Sequence, residues 1–162
     1  MSARVLSFAM AGRDTPATTA ARRAGVEHRV LEYEHDPSAA SYGMEAAEAL
    51  GLDPARVLKT LVVDLDGALT VCIVPVAAEL DLRSLGKRAR MADTAKAERT
   101  TGYVAGGISP LGQRRALPTL VDESALEHDT VFVSAGRRGL EIELAPGDLV
   151  ALTGAQVRAL RR

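Results

Sequence analysis

Cysteine is almost missing from this chain, with one residue, Cys72, in 162. A disulfide within the chain is excluded, and the usage fits a reducing compartment. Trp is absent and aromatic residues are 3% of the chain, which argues against stacking platforms for a run of unpaired bases. Long apolar runs are missing too: nothing approaches the roughly 18 to 20 residues that span a bilayer. The apolar run Val5 to Met10 is too brief and too weakly flanked for a secretory signal. Net charge is close to nil, at -1, which excludes both a disordered acidic polymer and a basic protein that coats nucleic acid. Metal-ligand spacing is not found, because His28, His35 and His128 are scattered and Cys72 stands alone. Flanked by Val71 and Ile73, Cys72 has the setting of a buried strand thiol rather than a nucleophile. The expectation is a cytoplasmic protein without metal, cofactor, membrane or DNA partner.

What the chain does hold is apolar material, 47% of its residues, beside a charged quarter. That is enough for one substantial core in one domain. Residues 1–12 are expected to be a disordered extension and 13–162 the folded domain. Thr15 before Pro16 caps a helix that runs to Ala24 and closes at Gly25. His28 to Tyr33 reads as a short strand, and Gly43 to Leu50 as a helix ending at Gly51. Asp53-Pro54 opens one further helical turn before Lys59 begins a new element. Thr60 to Val63 and Leu69 to Val76, joined by Asp66-Gly67, form a hairpin signature. Asp81 is placed to cap a helix through Arg88, and Asp93 another to about Arg99, ending at Gly102. Short strands are expected at Leu117 to Val121, Thr130 to Ser134 and Leu140 to Leu144, followed by a terminal helical region from Pro146. This order lacks regular beta-alpha-beta spacing, so it favours an α+β fold with a mainly antiparallel or mixed curved sheet.

Three segments offer chemistry. Lys59 stands at a strand mouth, where its ammonium could reach a phosphate or an oxyanion, or simply be solvated. Thr101 to Gly112 holds four glycines and a proline, so its backbone could approach a ligand and present N–H groups, or form a tight structural turn. It matches neither the dinucleotide fingerprint nor the phosphate loop. Ser134 to Gly139 carries Arg137 and Arg138, either a phosphate contact or solvated arginines on a hairpin turn. Ser109 or Ser134 with His35 or His128 would be needed for a triad, yet neither serine lies in a nucleophile elbow. Residues 83–138 hold ten basic against six acidic side chains, the reverse of the first 82 with seven against twelve. A basic patch for an RNA backbone could follow if the fold gathers them.

Taken as an ordered set, five motifs resemble the YbaK branch of the YbaK/EbsC family. They are Asp14-Thr15-Pro16-Ala17, Tyr33-Glu34-His35-Asp36-Pro37, Leu58-Lys59-Thr60-Leu61, Gly106-Gly107-Ile108-Ser109-Pro110-Leu111-Gly112-Gln113 and Val133 to Leu140. The resemblance runs from about Asp14 to the C-terminal helix. It implies a mixed, partly barrel-like curved sheet surrounded by helices, related to the editing insertion of bacterial prolyl-tRNA synthetase. It also implies trans-editing deacylation of cysteine from the proline tRNA and from the cysteine tRNA. Carried over by position, Lys59, Gly107 and Ser109 are the expected catalytic residues. Tyr33, Tyr42, Gly106, Ile108, Ser134 and Asp148 are the expected pocket. Arg137 and Arg138 are candidates for the tRNA backbone. The implied mechanism is substrate-assisted: the cysteine thiolate attacks its own ester carbonyl, with loop amides for the oxyanion and Lys59 at the 3′ end. The implied partners are the CCA end of an aminoacyl-tRNA and prolyl-tRNA synthetase. Left open are a water-dependent alanyl- or seryl-tRNA deacylase and a non-catalytic tRNA- or synthetase-associated module.

Overall fold

A computed structural model describes residues 3–6, 14–39 and 41–162. Two sheets and four helices make one α+β unit. The first sheet runs β1 (Ala3–Leu6), β2 (His28–Tyr33), β8 (Leu140–Leu144), β7 (Val131–Arg137), antiparallel throughout. The second runs β5 (Ala89–Met91), β3 (Leu58–Leu65), β4 (Ala68–Pro75), β6 (Thr119–Asp122), β9 (Gln156–Arg158). Its β4, β6 and β9 neighbours are parallel, so the sheet is mixed and curved, as the sequence led one to expect.

Local chemistry accounts for most elements. Helix α1 (Pro16–Ala24) starts in a capping box of Thr15 and Thr18 and ends at Gly25 in the left-handed region. Helix α2 (Tyr42–Leu50) is capped by the Ser41 hydroxyl and stopped by Gly51, and α3 (Thr94–Thr101) is capped by Asp93 and stopped by Gly102. The β3–β4 hairpin closes through Asp66 and Gly67, both at positive φ, and the Asp64 carboxylate accepts the Gly67 N–H at 2.6 Å. Helix α4 (Pro146–Thr153) begins on its proline and stops at Gly154.

Three expectations need correction. The helix from Asp81 to Arg88 shrinks to one 3₁₀ turn, Leu82–Leu85. Asp81 makes no cap bond there, and Gly86 at φ 142 redirects the chain into β5. The terminal helical region gives way after Gly154 to the edge strand β9. Within the span expected to be a disordered extension, Ala3–Leu6 pairs with β2; the rest of residues 1–12 lies outside the described residues.

The main core fills the space between the sheets, where Val133, Ala135, Leu140 and Ile142 meet Leu58, Val71, Ile73 and Val121. Cys72 lies in a second cluster behind β3, fully buried, and burial pushes its thiol up to about 11. It is a packing residue, as its apolar flanks indicated. Among the described residues no helix is long and apolar enough to cross a membrane.

Candidate functional site

Among the described residues one backbone bridge joins the two sheets. Val57, just before β3, forms a parallel bridge with Phe132 of β7, and the Phe132 N–H donates to the Arg56 carbonyl at 2.9 Å. Beyond that bridge the strands diverge, and Lys59 and Ser134 stand two residues further along their respective strands. Strand β5 pairs only Val63, Asp64 and Leu65 of β3, so among the described residues the edge of β3 upstream has no strand beside it. A cavity of about 230 Å³ opens in this fork. Lys59, Thr60, Ser134 and Glu141 form its walls, the start of α2 with Tyr42 and Gly43 its roof, and Gly106 and Ile108 a third side. Gly43 lets the helix close down: a Cβ there would lie 2.4 Å from Val76 Cγ1.

Strand alternation explains which side chains arrive. Ser134 and Glu141 are direct partners in the β7–β8 ladder, so they share a face. Leu31 is opposite Glu141 across β2–β8, which places Tyr33, two residues on, on that face as well. Its hydroxyl, buried and near the Glu141 carboxylate, is pushed up to about 12. Tyr33 does not line the cavity but backs Glu141.

Charge is disposed unusually. The Lys59 ammonium makes no ion pair or hydrogen bond with any described side chain. Glu141 is 7% exposed, and burial pushes its carboxyl up to about 8, so it is largely uncharged at neutral pH. Its neighbour Glu143 shows the opposite arrangement: Arg29 Nε donates to it at 2.6 Å, Thr130 Oγ1 at 2.6 Å, and Arg56 lies 3.6 Å away. A cation with no partner among the described residues and a largely uncharged buried acid thus border one small space.

The rim is a three-way junction. The Arg138 guanidinium stacks on the Tyr42 ring at 4.2 Å and donates from Nε and Nη2 to the Ala105 carbonyl at 3.2 and 2.8 Å. Gly106 at φ +87 fits between them, since a Cβ would lie 2.6 Å from both Arg138 Nε and Tyr42 Cδ2. Gly107 sits behind the wall, where a Cβ would meet the Arg137 Cα at 2.7 Å. Its N–H donates to the Val104 carbonyl at 2.9 Å and is therefore committed. Ser109 is wholly buried and its hydroxyl accepts the Leu111 N–H at 3.2 Å. Both shape the loop that presents Gly106 and Ile108, whose amides donate to no acceptor among the described residues.

Of the residues expected from the sequence, Lys59, Tyr42, Gly106, Ile108 and Ser134 are brought together on the cavity wall. Tyr33, Gly107 and Ser109 lie directly behind it. Asp148 is elsewhere, in the first turn of α4, and does not line the cavity. Arg137 projects from the hairpin, half-exposed and 4.0 Å from Glu32, while Arg138 is taken up by the rim. The carboxyl that does line the cavity is Glu141. Sequence reasoning missed it because Leu140 to Leu144 alternates like a half-buried strand, whereas all five residues are buried. The register of the hairpin across Gly136 and Gly139 was the signal, since it sets Glu141 opposite Ser134. Among the described residues no group of His, Cys, Asp and Glu side chains is arranged to hold a metal.

The model of the aminoacyl-tRNA editing domain matches residues 36–152, which span every cavity residue named above. The chain belongs to the aminoacyl-tRNA editing domain family. A protein of Enterococcus faecalis (strain ATCC 700802 / V583), named an inferred Cys-tRNA(Pro)/Cys-tRNA(Cys) deacylase EbsC, is 38% identical over 156 residues, or 91% of this chain and 95% of that one. The crystal structure of a candidate trans-editing enzyme for prolyl tRNA synthetase superposes with a TM-score of 0.80 at 27% identity, over 95% of this chain and 99% of the other. That of a hypothetical protein, APE2540, gives 0.79 at 26% identity, over 91% and 100%. The editing-domain fold is therefore shared along nearly the whole length, and the fork between β3 and β7 is part of the matched region.

Proposed function

We propose that this editing domain acts in trans to cleave the ester that joins cysteine to the 3′ end of a mischarged proline tRNA, and of the cysteine tRNA. The observation that carries this reading is Lys59, with no partner among the described residues, on the wall of a small cavity that Gly106 and Ile108 also line, residues whose amides have no acceptor among the described residues. That arrangement suits an anion: Lys59 holds the phosphate or ribose end, and the loop amides polarise the ester carbonyl as negative charge develops on its oxygen. A cavity of about 230 Å³ is small for a ligand site, which favours a small aminoacyl group.

The lining side chains include no cysteine or histidine, and the Ser134 hydroxyl accepts the Gly136 N–H at 3.2 Å and is hydrogen-bonded to no basic side chain among the described residues, Glu141 across the ladder included. An activated nucleophile is therefore not supplied by the wall, and the substrate's own thiol fills the role. Its sulfur bonds to the carbonyl carbon, the bond to the ribose oxygen breaks, and the thiol proton passes to the departing ribose hydroxyl, leaving a cyclic thioester for water to open. The relatives support the cysteine preference and a link to prolyl-tRNA synthetase, which we propose as the partner that selects the tRNA. This work belongs with translation in the cytoplasm.

The test compares hydrolysis of cysteinyl-, alanyl- and prolyl-esters carried on the same proline tRNA. Turnover of the cysteinyl ester, with alanyl at background, is expected. Equal rates with alanine would transfer the reading to a water-dependent deacylase, and no turnover of any ester would leave a binding module.

A further inference from the structure

Among the described residues three buried side-chain polar atoms have no hydrogen-bond partner: His28 Nε2, Thr60 Oγ1 and Glu141 Oε2. Two of the three belong to residues that line the fork cavity. Orphaned polar atoms are rare in folded proteins because each has given up water without replacement. On the same strand, Glu143 shows what a satisfied buried carboxylate looks like here, with two arginines and a threonine around it. Glu141 is equally buried and has none of these. Nor is Lys59 its counterion, since the two form no ion pair although both border the cavity.

We propose that Glu141 and Thr60 form a subsite that receives the α-amino group of the aminoacyl ester. The assignment deepens the deacylase reading and rests on it. The α-amine is the one basic group on the ester of a small neutral amino acid, and it carries several N–H donors. Both orphaned atoms are oxygens able to accept them. A carboxyl and an amine can share a proton in either direction, so the pair is satisfied as neutral partners or as an ion pair, and burial makes the latter strong once formed. With the amine at Glu141 and the ribose or phosphate end at Lys59, the carbonyl between them lies along the wall that Gly106 and Ile108 complete. A ribose hydroxyl would match less well: it brings a single donor and no charge to balance a buried acid.

Two ligands that differ only in the amine test this. Cysteinyl-tRNA is compared with 3-mercaptopropionyl-tRNA, which keeps the ester and thiol. Binding of the matching amide-linked 3′-amino-3′-deoxyadenosine analogues is measured by calorimetry. The wild-type protein should prefer the amine-bearing member by about tenfold or more in both kcat/KM and affinity, as sites built around a buried polar partner do. In Glu141→Gln that preference should fall to about twofold, and in Thr60→Val to an intermediate value, both variants being nearly isosteric. An undiminished preference in Glu141→Gln, or no preference in the wild type, overturns the subsite while leaving the deacylase reading in place. Amine-dependent binding lost in Glu141→Gln without hydrolysis of either ester upholds the subsite and overturns the deacylase reading.

Discussion

Lys59 and Cys72 are the two reactive side chains of the β3–β4 pair, and their surroundings divide them. Lys59 sits where β3 has no strand on one edge among the described residues, and it lines the cavity that opens there. Cys72 is enclosed by Val63, Val74 and Leu160, and a thiol pushed up to about 11 has almost no thiolate at neutral pH. Lys59→Ala should lower kcat/KM for cysteinyl-tRNA by about a hundredfold or more, in line with the loss of a transition-state charge partner. Its melting temperature should stay within about 2 °C of wild type, because an unpartnered cation contributes little to stability. Cys72→Ala should do the reverse, with steady-state rates within about twofold and a melting temperature lowered by a few degrees from the small cavity created. Inactivation of a folded Cys72→Ala protein would show that the enzyme supplies a thiol of its own.

At the scale of elements, the site depends on the glycine loop docking against the β7–β8 hairpin. Arg138 clasps that docking by covering Tyr42 and holding the Ala105 carbonyl. Arg138→Leu should raise KM by about tenfold with a smaller effect on kcat, because the roof loosens while Lys59 stays in place. Lysine at the same position should not restore it, since a point charge cannot stack and fork at once. Gly107→Ala and Gly147→Ala make a sharper pair. The first drives a methyl against the Arg137 backbone, while the second, on α4, meets nothing within 4 Å. Urea denaturation should show the first losing about 2 kcal/mol or more, and the second gaining about 0.5–1 kcal/mol from reduced freedom of the unfolded chain.

The same contrast explains what could be read in advance. The Asp66-Gly67 hairpin and the capped helices α1, α2 and α3 are written in adjacent residues, and they appear where the motifs put them. Strands β1, β5 and β9 are short edges whose pairing depends on partners distant in sequence, so nothing local announces them. Lys59, Gly106 and Ser134, which line the cavity, could be picked out because their motifs travel together, and Tyr42 by its position relative to them. Glu141 was not, because its burial comes from neighbouring strands and the cavity roof rather than from its own strand's alternation, and Asp148 was chosen in its stead.

For the whole molecule, the site leaves its mark on stability as a function of pH. Glu141 holds its proton up to about 8 in the folded protein, well above the ordinary glutamate value of 4.5. The native state therefore binds that proton more tightly than the unfolded chain does. Its stabilising contribution is complete below about pH 4.5 and is lost as pH rises through 8. Asp122 acts in the other direction. Burial works against its charge, but the Ser124 hydroxyl, the Leu160 and Ser124 amides and the Arg161 guanidinium hold its carboxyl below the usual range. It ties the C-terminal segment to β6, and that contribution is present above the ordinary aspartate pKa and fades as acid protonates it. Stability should therefore crest on the mildly acidic side of neutrality. Glu141→Gln separates the two effects, because it removes the alkaline loss and leaves Asp122 alone. In urea titrations at pH 9 the variant should be more stable than wild type by roughly 2–4 kcal/mol. At pH 4.5 the two should agree within about 0.5 kcal/mol, since glutamine matches the protonated acid in shape and polarity. A variant less stable than wild type at pH 9 would mean that the carboxylate is welcome where it stands, and the neutral acid on the cavity wall would have to be given up.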